Sequence, residues 1–417
     1  MKKIKIEGGH TLKGTINIGG AKNSAVALIP AAILCSGTAT IFNVPQISDR
    51  TSLIEILEYL GAKVNLSEDT MTIDSTNIEN KEIPEEISKK LRASYYFMGA
   101  LLSKYKKVTM YFPGGCKIGE RPINLHLKGF EMLGAKVKCD GNKYTVTADE
   151  LIGTSIYLDI ASVGATINIM LASTLAKGVT TIENAAKEPE IVNVATFLNT
   201  MGAKITGAGT SEIKIEGVKK LKSSFHEVIP DRIEAGTYII AGALMGDKLK
   251  INNIIPDHVE SLTSKLSEIG VPLEIGNDYI IISKGSNLKS ANIKTLVYPG
   301  FPTDLQQPIT TLLTQCKGTS SVEETVWENR FMNIEYLNKM GANINVNDKI
   351  ALIKGPANLI GKKVVATDLR AGACLILAGL IAKGETTIEN VEHILRGYEK
   401  IIEKLSGVGA KISLEEI

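Results

Sequence analysis

The sequence lacks the features expected of a nucleic-acid-binding, membrane-spanning or disulfide-rich protein. Aromatic residues make up 5% of its 417 residues, with one tryptophan, so no stacking platform for bases is indicated. Lys and Arg number 47 against 45 Asp and Glu, and no overall charge attracts a polyanion. The five cysteines are odd in number and scattered without a CxxC pair, which is typical of a reducing compartment. No apolar segment of a signal peptide follows the basic start, and the apolar run 25–35 is too short to span a bilayer. We therefore expect a cytoplasmic protein that binds neither nucleic acid nor membrane.

Cofactor and metal motifs are missing as well. The chain has neither a GxxxxGK[ST] phosphate loop nor a GxGxxG motif after a strand, so nucleoside triphosphates and dinucleotides are not indicated. The five histidines show no ligand spacing such as HExxH. We assign no metal and no cofactor.

One short phrase recurs through the whole chain. It has the form of YLGAKVNL, in which an amphipathic helix ends at a glycine cap and a strand begins. The steps between successive glycines are 73, 68, 68, 71 and 68 residues. These glycines are Gly61, Gly134, Gly202, Gly270, Gly341 and Gly409. Each copy also has an apolar helix followed by a β-rich run, so the chain is predicted to contain six α/β units of about seventy residues.

The ends of the chain indicate how the six units are grouped. A strand such as EIKIEG closes each of five units, but the sixth unit stops before one. The segment KIKIEGG at 3–9 nearly duplicates EIKIEGV, so we expect the amino-terminal strand to complete the last unit. This predicts two pseudo-symmetric lobes of three units with a cleft between them. One lobe comprises 1–20 plus 230–417, and the other comprises 21–229.

Charged residues stand where each buried helix begins. Helix starts carry unpaired N–H groups and a positive partial charge, which suit anions. Several starts also carry a cation or a carboxylate, namely Lys22, Arg92, Arg232, Asp304 and Arg370. A single such arginine is more simply explained as a surface ion pair. Their recurrence at equivalent positions favours a site for a multiply anionic ligand.

The segment PGGCKIGERP, residues 113–122, places a cysteine in a glycine-rich loop. Lys117 and Arg121 stand close to Cys116 in the sequence, and neighbouring cations favour the reactive thiolate. The alternative is an inert buried cysteine, which we expect for Cys35 and Cys374 because both stand in apolar helices. For Cys116 we favour an exposed, reactive thiol.

Long motifs in the chain resemble the UDP-N-acetylglucosamine 1-carboxyvinyltransferases. They are GGAKNS, PGGCKIGERP, FPTDLQ, ETVWENRFMN and HILRGYEK, and the resemblance covers essentially the whole chain. It implies an inside-out α/β barrel whose two lobes each hold three βαβαββ units. The implied reaction transfers the enolpyruvyl group of phosphoenolpyruvate to the 3-hydroxyl of UDP-N-acetylglucosamine and releases phosphate, the first committed step of peptidoglycan synthesis.

The resemblance also implies residue roles. Cys116 is the general acid and also forms a covalent adduct with phosphoenolpyruvate. Its sulfur is the atom that the epoxide inhibitor fosfomycin alkylates. Asp304 is the general base at the sugar hydroxyl, and Lys22 also takes part in catalysis. Contacts to phosphoenolpyruvate are assigned to Lys22, Asn23, Arg121, Arg330, Arg370 and Arg396. Contacts to the sugar nucleotide are assigned to Asn23, Arg92, Arg121, Pro122, Ile123, Asn124, Leu125, Ser162, Gly164, Asp304 and Val326. Asp49 is expected near the reacting centre.

Two positions depart from the family pattern. Ile160 stands where some members have a lysine, and Tyr96 stands where others have a tryptophan.

There are two alternatives to the function that the resemblance implies. One is enolpyruvyl transfer to shikimate 3-phosphate, but the cysteine loop and the absence of an NAGTAMRP-like motif count against it. The other is a non-catalytic polyanion-binding repeat protein. Since Cys116 and Arg121 share one loop, we expect that loop to close after the sugar nucleotide binds.

Overall fold

The computed structural model describes residues 2–111 and 123–416, which form a mixed α/β protein. Strands β1 to β23 are, in chain order, Lys2–Glu7, Thr15–Asn17, Thr38–Phe42, Lys63–Ser67, Thr70–Asp74, Lys107–Tyr111, Lys136–Asp140, Lys143–Thr147, Ser155–Tyr157, Val179–Glu183, Lys204–Thr206, Glu212–Glu216, Ser224–Glu227, Leu249–Asn252, Leu273–Ile275, Tyr279–Ile282, Asn292–Lys294, Gly318–Glu323, Asn343–Asn347, Ile350–Gly355, Lys363–Val365, Glu385–Glu389 and Lys411–Glu416. Helices α1 to α14 are Lys22–Ala31, Ser48–Tyr59, Glu85–Ser88, Tyr96–Tyr105, Asn124–Met132, Val163–Ser173, Pro189–Thr200, Arg232–Met245, Glu260–Ile269, Gln306–Leu313, Ile334–Lys339, Leu369–Ile381, Glu392–Leu395 and Ile401–Ser406. Short 3₁₀ helices cover Ala32–Leu34, Arg92–Tyr95, Pro256–Val259 and Thr303–Leu305.

The chain divides into two compact units. The split unit contains residues 2–19 and 230–416, and the continuous unit contains residues 20–111 and 123–229. Each unit has its own hydrophobic core. The chain passes from one unit to the other after Gly19 and again after Ile229.

Six sheets make up the two units, and five of them share one plan. The order β9-α6-β10-α7-β11-β12 shows the plan, in which β9 and β10 are parallel and the other pairs are antiparallel. The apolar helices are buried as predicted; every residue of α8 from Ile233 to Met245 is buried. In the split unit α8, α10 and α12 contact one another, and in the continuous unit α4 contacts α1 and α6. All six glycines of the recurring phrase have φ between 95° and 108°, a left-handed conformation that glycine adopts without a steric penalty.

The first strand lies inside the last sheet. β1 pairs antiparallel with β22 on one side and with β23 on the other. Its alternating sequence explains the fit, since Ile4 and Ile6 are fully buried while Lys3 and Lys5 face Glu415. The split unit is therefore completed by both ends of the described chain.

One strand pairing was not predicted from the sequence. β13, which follows the third repeat, pairs parallel with β3 of the first repeat. β13 has four residues, and Phe225 within it is 72% exposed, so it lacks the buried face by which a strand is usually recognised. β13 ends at Glu227, and the chain passes into the split unit two residues later, after Ile229.

The asparagine that ends several β-rich runs has a common structural role. Asn43, Asn184, Asn253 and Asn390 all have φ of 55° to 58°, which asparagine tolerates better than most residues. Three of the side-chain amides donate to a carbonyl on the neighbouring segment, from Asn43 to Val228, from Asn184 to Leu158 and from Asn253 to Ile18. Each of these three bonds holds a segment that leads into a buried helix.

Candidate active site

The structure places the predicted site residues in two groups, one in each unit. The split unit holds Asp304, Val326, Arg330, Arg370 and Arg396. The continuous unit holds Lys22, Asn23, Asp49, Arg92, Ile123, Asn124, Leu125, Ser162 and Gly164. Cys116, Arg121 and Pro122, together with the neighbouring Lys117, lie outside the described residues.

Asp304 lies between two buried arginines. Arg330 Nη2 donates to Asp304 Oδ1 and Arg370 Nη2 donates to Asp304 Oδ2, both at 2.8 Å. The Arg330 and Arg370 side chains are 2% and 7% exposed, whereas Asp304 is 26% exposed. Burial lowers the pKa of Arg370, but the Asp304 carboxylate, together with Tyr398 and Asp231, outweighs burial and raises that pKa above the usual value. Two cations around one carboxylate leave a positive charge, which suits a further anion.

Arg370 is held by the start of its own helix. Asp368 is the N-cap of α12, and its Oδ1 accepts the backbone N–H groups of Arg370 at 2.8 Å and of Ala371 at 3.0 Å. The guanidinium Nη1 donates to Tyr398 Oη at 3.2 Å, and that hydroxyl lies 2.9 Å from Thr237 Oγ1. The cap and the tyrosine fix the side chain that reaches Asp304.

Arg330 is held through Gln307, which the sequence analysis did not identify. Gln307 Nε2 donates to the Arg330 carbonyl at 3.0 Å and to Asp368 Oδ2 at 3.4 Å. It thereby joins the segments that carry the two arginines. Among the described residues, Arg330 Nε has no hydrogen-bond partner, although it is buried. A buried guanidinium N–H in this state favours an incoming acceptor.

Lys22 and Asp49 form a buried ion pair in the continuous unit. Lys22 is the first residue of α1, and its Nζ donates to Asp49 Oδ2. The two side chains are 14% and 3% exposed. Asp49 lies in the first turn of α2, where the helix dipole stabilises a negative charge. The sequence indicated both residues but not that they pair.

The start of α6 is packed against a buried histidine. Ser162 is the N-cap, and its Oγ accepts the Ala165 N–H at 3.3 Å. A Cβ at Gly164 would lie 2.8 Å from Tyr95 Oη and 3.2 Å from His126 Nε2, so a side chain at this position forces its neighbours to move.

His126 is one of the five histidines, which show no metal-ligand spacing in the sequence. Burial, and secondarily the charge of Arg92, lowers the pKa of His126 to about 3, so its ring is neutral at pH 7. The ring nitrogen Nδ1 lies 2.9 Å from Asn168 Nδ2, which fixes the orientation of the ring.

The remaining residues singled out from the sequence have varied settings. Arg232 is the first residue of α8, and its guanidinium lies 5.4 Å from the centre of the Tyr298 ring. Ile160 is 67% exposed, and Tyr96 is 4% exposed. Cys35 and Cys374 are buried, as predicted.

Within residues 2–111 and 123–416 the structure holds no group of three or more His, Cys, Asp or Glu side chains arranged to bind a metal ion. In the same part of the chain, every helix is too short or too polar to cross a membrane.

A buried carboxylate lies beside the first passage between the units. Glu234, in the first turn of α8, accepts from Lys404 Nζ at 2.6 Å and from the Gly19 N–H at 3.0 Å. Burial raises the pKa of Glu234 to about 7, against the lowering effect of Lys404 and with a contribution from the nearby Asp231. The proton is thus held more tightly in the folded protein than in the unfolded chain.

This carboxylate should make the protein less stable as the pH rises. Between pH 4.5 and about 7 the unfolded chain has released the Glu234 proton while the folded protein still binds it, so the free energy of unfolding falls by about 3 kcal/mol over this range. Glu234→Gln should remove that contribution, which urea denaturation at several pH values measures. Glu268→Gln, at an exposed position of α9, is the control. Its free energy of unfolding should fall with pH as steeply as that of the wild type. If the free energy of unfolding of Glu234→Gln falls with pH as steeply as that of the wild type, the raised pKa of Glu234 is wrong.

Comparison with known proteins identifies the family. The model of the EPSP synthase (3-phosphoshikimate 1-carboxyvinyltransferase) family matches residues 6–405. The chain is 54% identical to UDP-N-acetylglucosamine 1-carboxyvinyltransferase 2 of Bacillus subtilis, over 100% of this chain and 97% of that protein. It is 53% identical to the protein of the same name from Listeria monocytogenes, over 99% and 97%.

Solved structures show the same fold. The enolpyruvyl transferase NikO from Streptomyces tendae has a TM-score of 0.90 at 27% identity, covering 99% of this chain and 98% of that one. An EPSP synthase from Acinetobacter baumannii has a TM-score of 0.76 at 17% identity over the full length of both chains, a likeness of fold alone. The chain belongs to the EPSP synthase family of enolpyruvyl transferases, and within it to the UDP-N-acetylglucosamine 1-carboxyvinyltransferases.

Proposed function

We propose that the chain transfers the enolpyruvyl group of phosphoenolpyruvate to the 3-hydroxyl of UDP-N-acetylglucosamine and releases phosphate, in the first committed step of peptidoglycan synthesis. The observation that carries the reaction class is the Asp304 carboxylate between Arg330 and Arg370, which supplies a base beside cations for a carboxylate substrate. The names of the full-length relatives support the sugar nucleotide as the acceptor.

The reaction needs an acid, a base and cations. Cys116 protonates C3 of phosphoenolpyruvate, and C2 then accepts the sugar oxygen. Where the cysteine sulfur adds to C2 first, the C–S bond of that adduct breaks again before the sugar oxygen adds. Asp304 takes the proton of the sugar 3-hydroxyl as the new C–O bond forms. Phosphate then leaves C2 and the Cys116 thiolate takes a proton from C3, which restores the double bond in the product and the thiol of the enzyme.

Cations hold the two acidic ends of phosphoenolpyruvate. Arg330 and Arg370 bind its carboxylate, because a guanidinium presents two N–H groups to two oxygens. That carboxylate competes with Asp304 for the same N–H groups, and Asp304 becomes a stronger base as it gives them up. Contacts to the phosphate and the adjoining atoms come from Lys22, Asn23, Arg121 and Arg396.

The proposal also assigns contacts to the sugar nucleotide. Asp49 supports Lys22 through their ion pair. The contacts to the nucleotide and sugar come from Asn23, Arg92, Arg121, Pro122, Ile123, Asn124, Leu125, Ser162, Gly164, Asp304 and Val326. With isoleucine at 160, the diphosphate contact that lysine makes in some family members is either missing or supplied by another residue.

The remaining expectations from the sequence belong to the same proposal. They are the inside-out α/β barrel, the lobes 1–20 plus 230–417 and 21–229, a cytoplasmic location, no cofactor, and alkylation of Cys116 by fosfomycin. Binding is ordered, with the sugar nucleotide first, because the loop that carries Cys116 and Arg121 closes over it.

Phosphate release tests the proposal. Purified protein with phosphoenolpyruvate should release phosphate when UDP-N-acetylglucosamine is added, and fosfomycin should abolish that release. Parallel reactions contain shikimate 3-phosphate as the acceptor. Release with shikimate 3-phosphate alone would assign the other acceptor, and no release with either would favour the binding-protein alternative.

A further inference from the structure

A buried glutamate occupies one position where other repeats have asparagine. Asn43, Asn184, Asn253 and Asn390 each follow directly after the strand that ends in a TTIEN-type run. Glu324 holds this place after β18 and is 1% exposed. A buried carboxylate is costly unless several donors satisfy it, so its presence in only one repeat calls for a local cause.

Four donors surround the Glu324 carboxylate. Its Oε1 accepts from Thr295 Oγ1 at 2.9 Å, from the Val326 N–H at 2.8 Å and from the Trp327 N–H at 3.1 Å. Its Oε2 accepts from Thr303 Oγ1 at 2.9 Å. Hydrogen bonds to an ionised acceptor are the stronger kind, and a carboxylate can accept four of them where an asparagine offers one carbonyl oxygen.

These bonds connect the carboxylate to two segments of the proposed site. Thr303 begins the 3₁₀ turn Thr303–Leu305, in which Asp304 is the next residue. Val326 is among the proposed sugar-nucleotide contacts. The carboxylate also contacts a segment outside the proposed site, at Thr295 just after β17. The Thr295 Oγ1 also accepts the Thr325 N–H at 2.9 Å. Glu324 therefore joins the turn that carries Asp304 to the backbone at Val326.

We propose that Glu324 is a positioning residue, which acts through Thr303 to set the Asp304 carboxylate against the sugar hydroxyl. The inference rests on the proposed function, because it requires Asp304 to be the base. Glu324 itself touches no substrate in this account. A displacement of about 1 Å in a reacting group costs on the order of 100-fold in rate, so the Thr303 bond should be visible in kcat.

Thr303→Val is the sharpest test, because valine has nearly the same shape and removes only the bond to Oε2. We expect kcat to fall by about 10- to 100-fold, with KM for both substrates within about threefold of wild type. Thr295→Val is the matched control. It also takes one donor from the carboxylate, but it leaves the bond to the Asp304 turn intact. Its kcat should stay within about threefold, even though its thermal stability falls at least as far as that of Thr303→Val.

Substitutions of Glu324 supply the rescue. In Glu324→Gln the amide oxygen can accept the three donors at Oε1 while the amide N–H donates to Thr303 Oγ1, so most of kcat should survive. Glu324→Ala removes all four bonds and should lose more than Thr303→Val does. Equal kcat in Thr303→Val and wild type, or equal losses in Thr303→Val and Thr295→Val, would overturn the inference.

The same assay separates this inference from the proposed function. Wild-type protein that releases no phosphate with UDP-N-acetylglucosamine would overturn the function itself. An active wild type with an unimpaired Thr303→Val overturns only the role of Glu324.

Discussion

Replacing Asp304 by asparagine should lower kcat for phosphate release by about 100- to 10,000-fold, the usual contribution of a general base. An amide cannot take the proton of the sugar hydroxyl. It also turns an N–H group toward Arg330 or Arg370, where the carboxylate now accepts at 2.8 Å on both sides. The variant should therefore be somewhat less stable, by about 1–3 kcal/mol. Steady-state kinetics and thermal denaturation of the same preparation measure the two effects.

Asp247→Asn is the control for this change. Asp247 lies in the same unit, is 53% exposed and forms a surface ion pair with Lys13, so the same chemical change there should leave kcat unaltered. Binding of UDP-N-acetylglucosamine to Asp304→Asn, measured by calorimetry, should persist because the other contacts remain. A variant that folds, binds the sugar nucleotide and keeps wild-type kcat would show that Asp304 is not the base.

Cys116→Ala should also lower kcat for phosphate release by about 100- to 10,000-fold, because it removes the proton donor to C3 of phosphoenolpyruvate. Cys139→Ala is the matched control, since Cys139 is an exposed thiol on β7. It should retain full activity. If both variants lose activity equally, the role of the loop cysteine is wrong.

Alkylation gives the same prediction a second readout. Burial raises the pKa of the Cys316 thiol to about 12 and of Cys374 to about 11, and burial raises that of Cys35 as well. These thiols are protonated and inaccessible at neutral pH, so they should not react. Mass spectrometry should find one fosfomycin adduct in wild type and in Cys139→Ala, and none in Cys116→Ala. An adduct on Cys116→Ala would contradict the assignment.

The sequence predicts local structure well because each repeat carries its own pattern. The glycine caps and buried helices lie where the recurring phrase and the apolar runs indicate. The strand β12, predicted from EIKIEG, is present. Asp304 and Arg370, marked as charged residues at helix entrances, contact each other in the structure. Residue type and repeat position were enough to find them.

The missed features all depend on contacts between distant parts of the chain. Gln307 and Glu324 are polar residues next to a helix start and a strand end, where a polar residue is ordinarily exposed. Their burial becomes evident only when the fold brings Arg330 and Thr303 to them. The parallel pairing of β13 with β3 joins residues more than 180 positions apart, and no local pattern specifies it.

The position of β1 determines when the protein can finish folding during synthesis. The continuous unit, residues 20–111 and 123–229, can fold while the ribosome is still translating the rest of the chain. β1 must wait for both of its partner strands, the second of which is Lys411–Glu416. At typical translation rates that delay is roughly 20–80 s, during which a strand of the split unit has unpaired edges. The alternating lysines of β1 reduce the risk of aggregation in that interval, because like charges along a strand discourage pairing with another nascent chain.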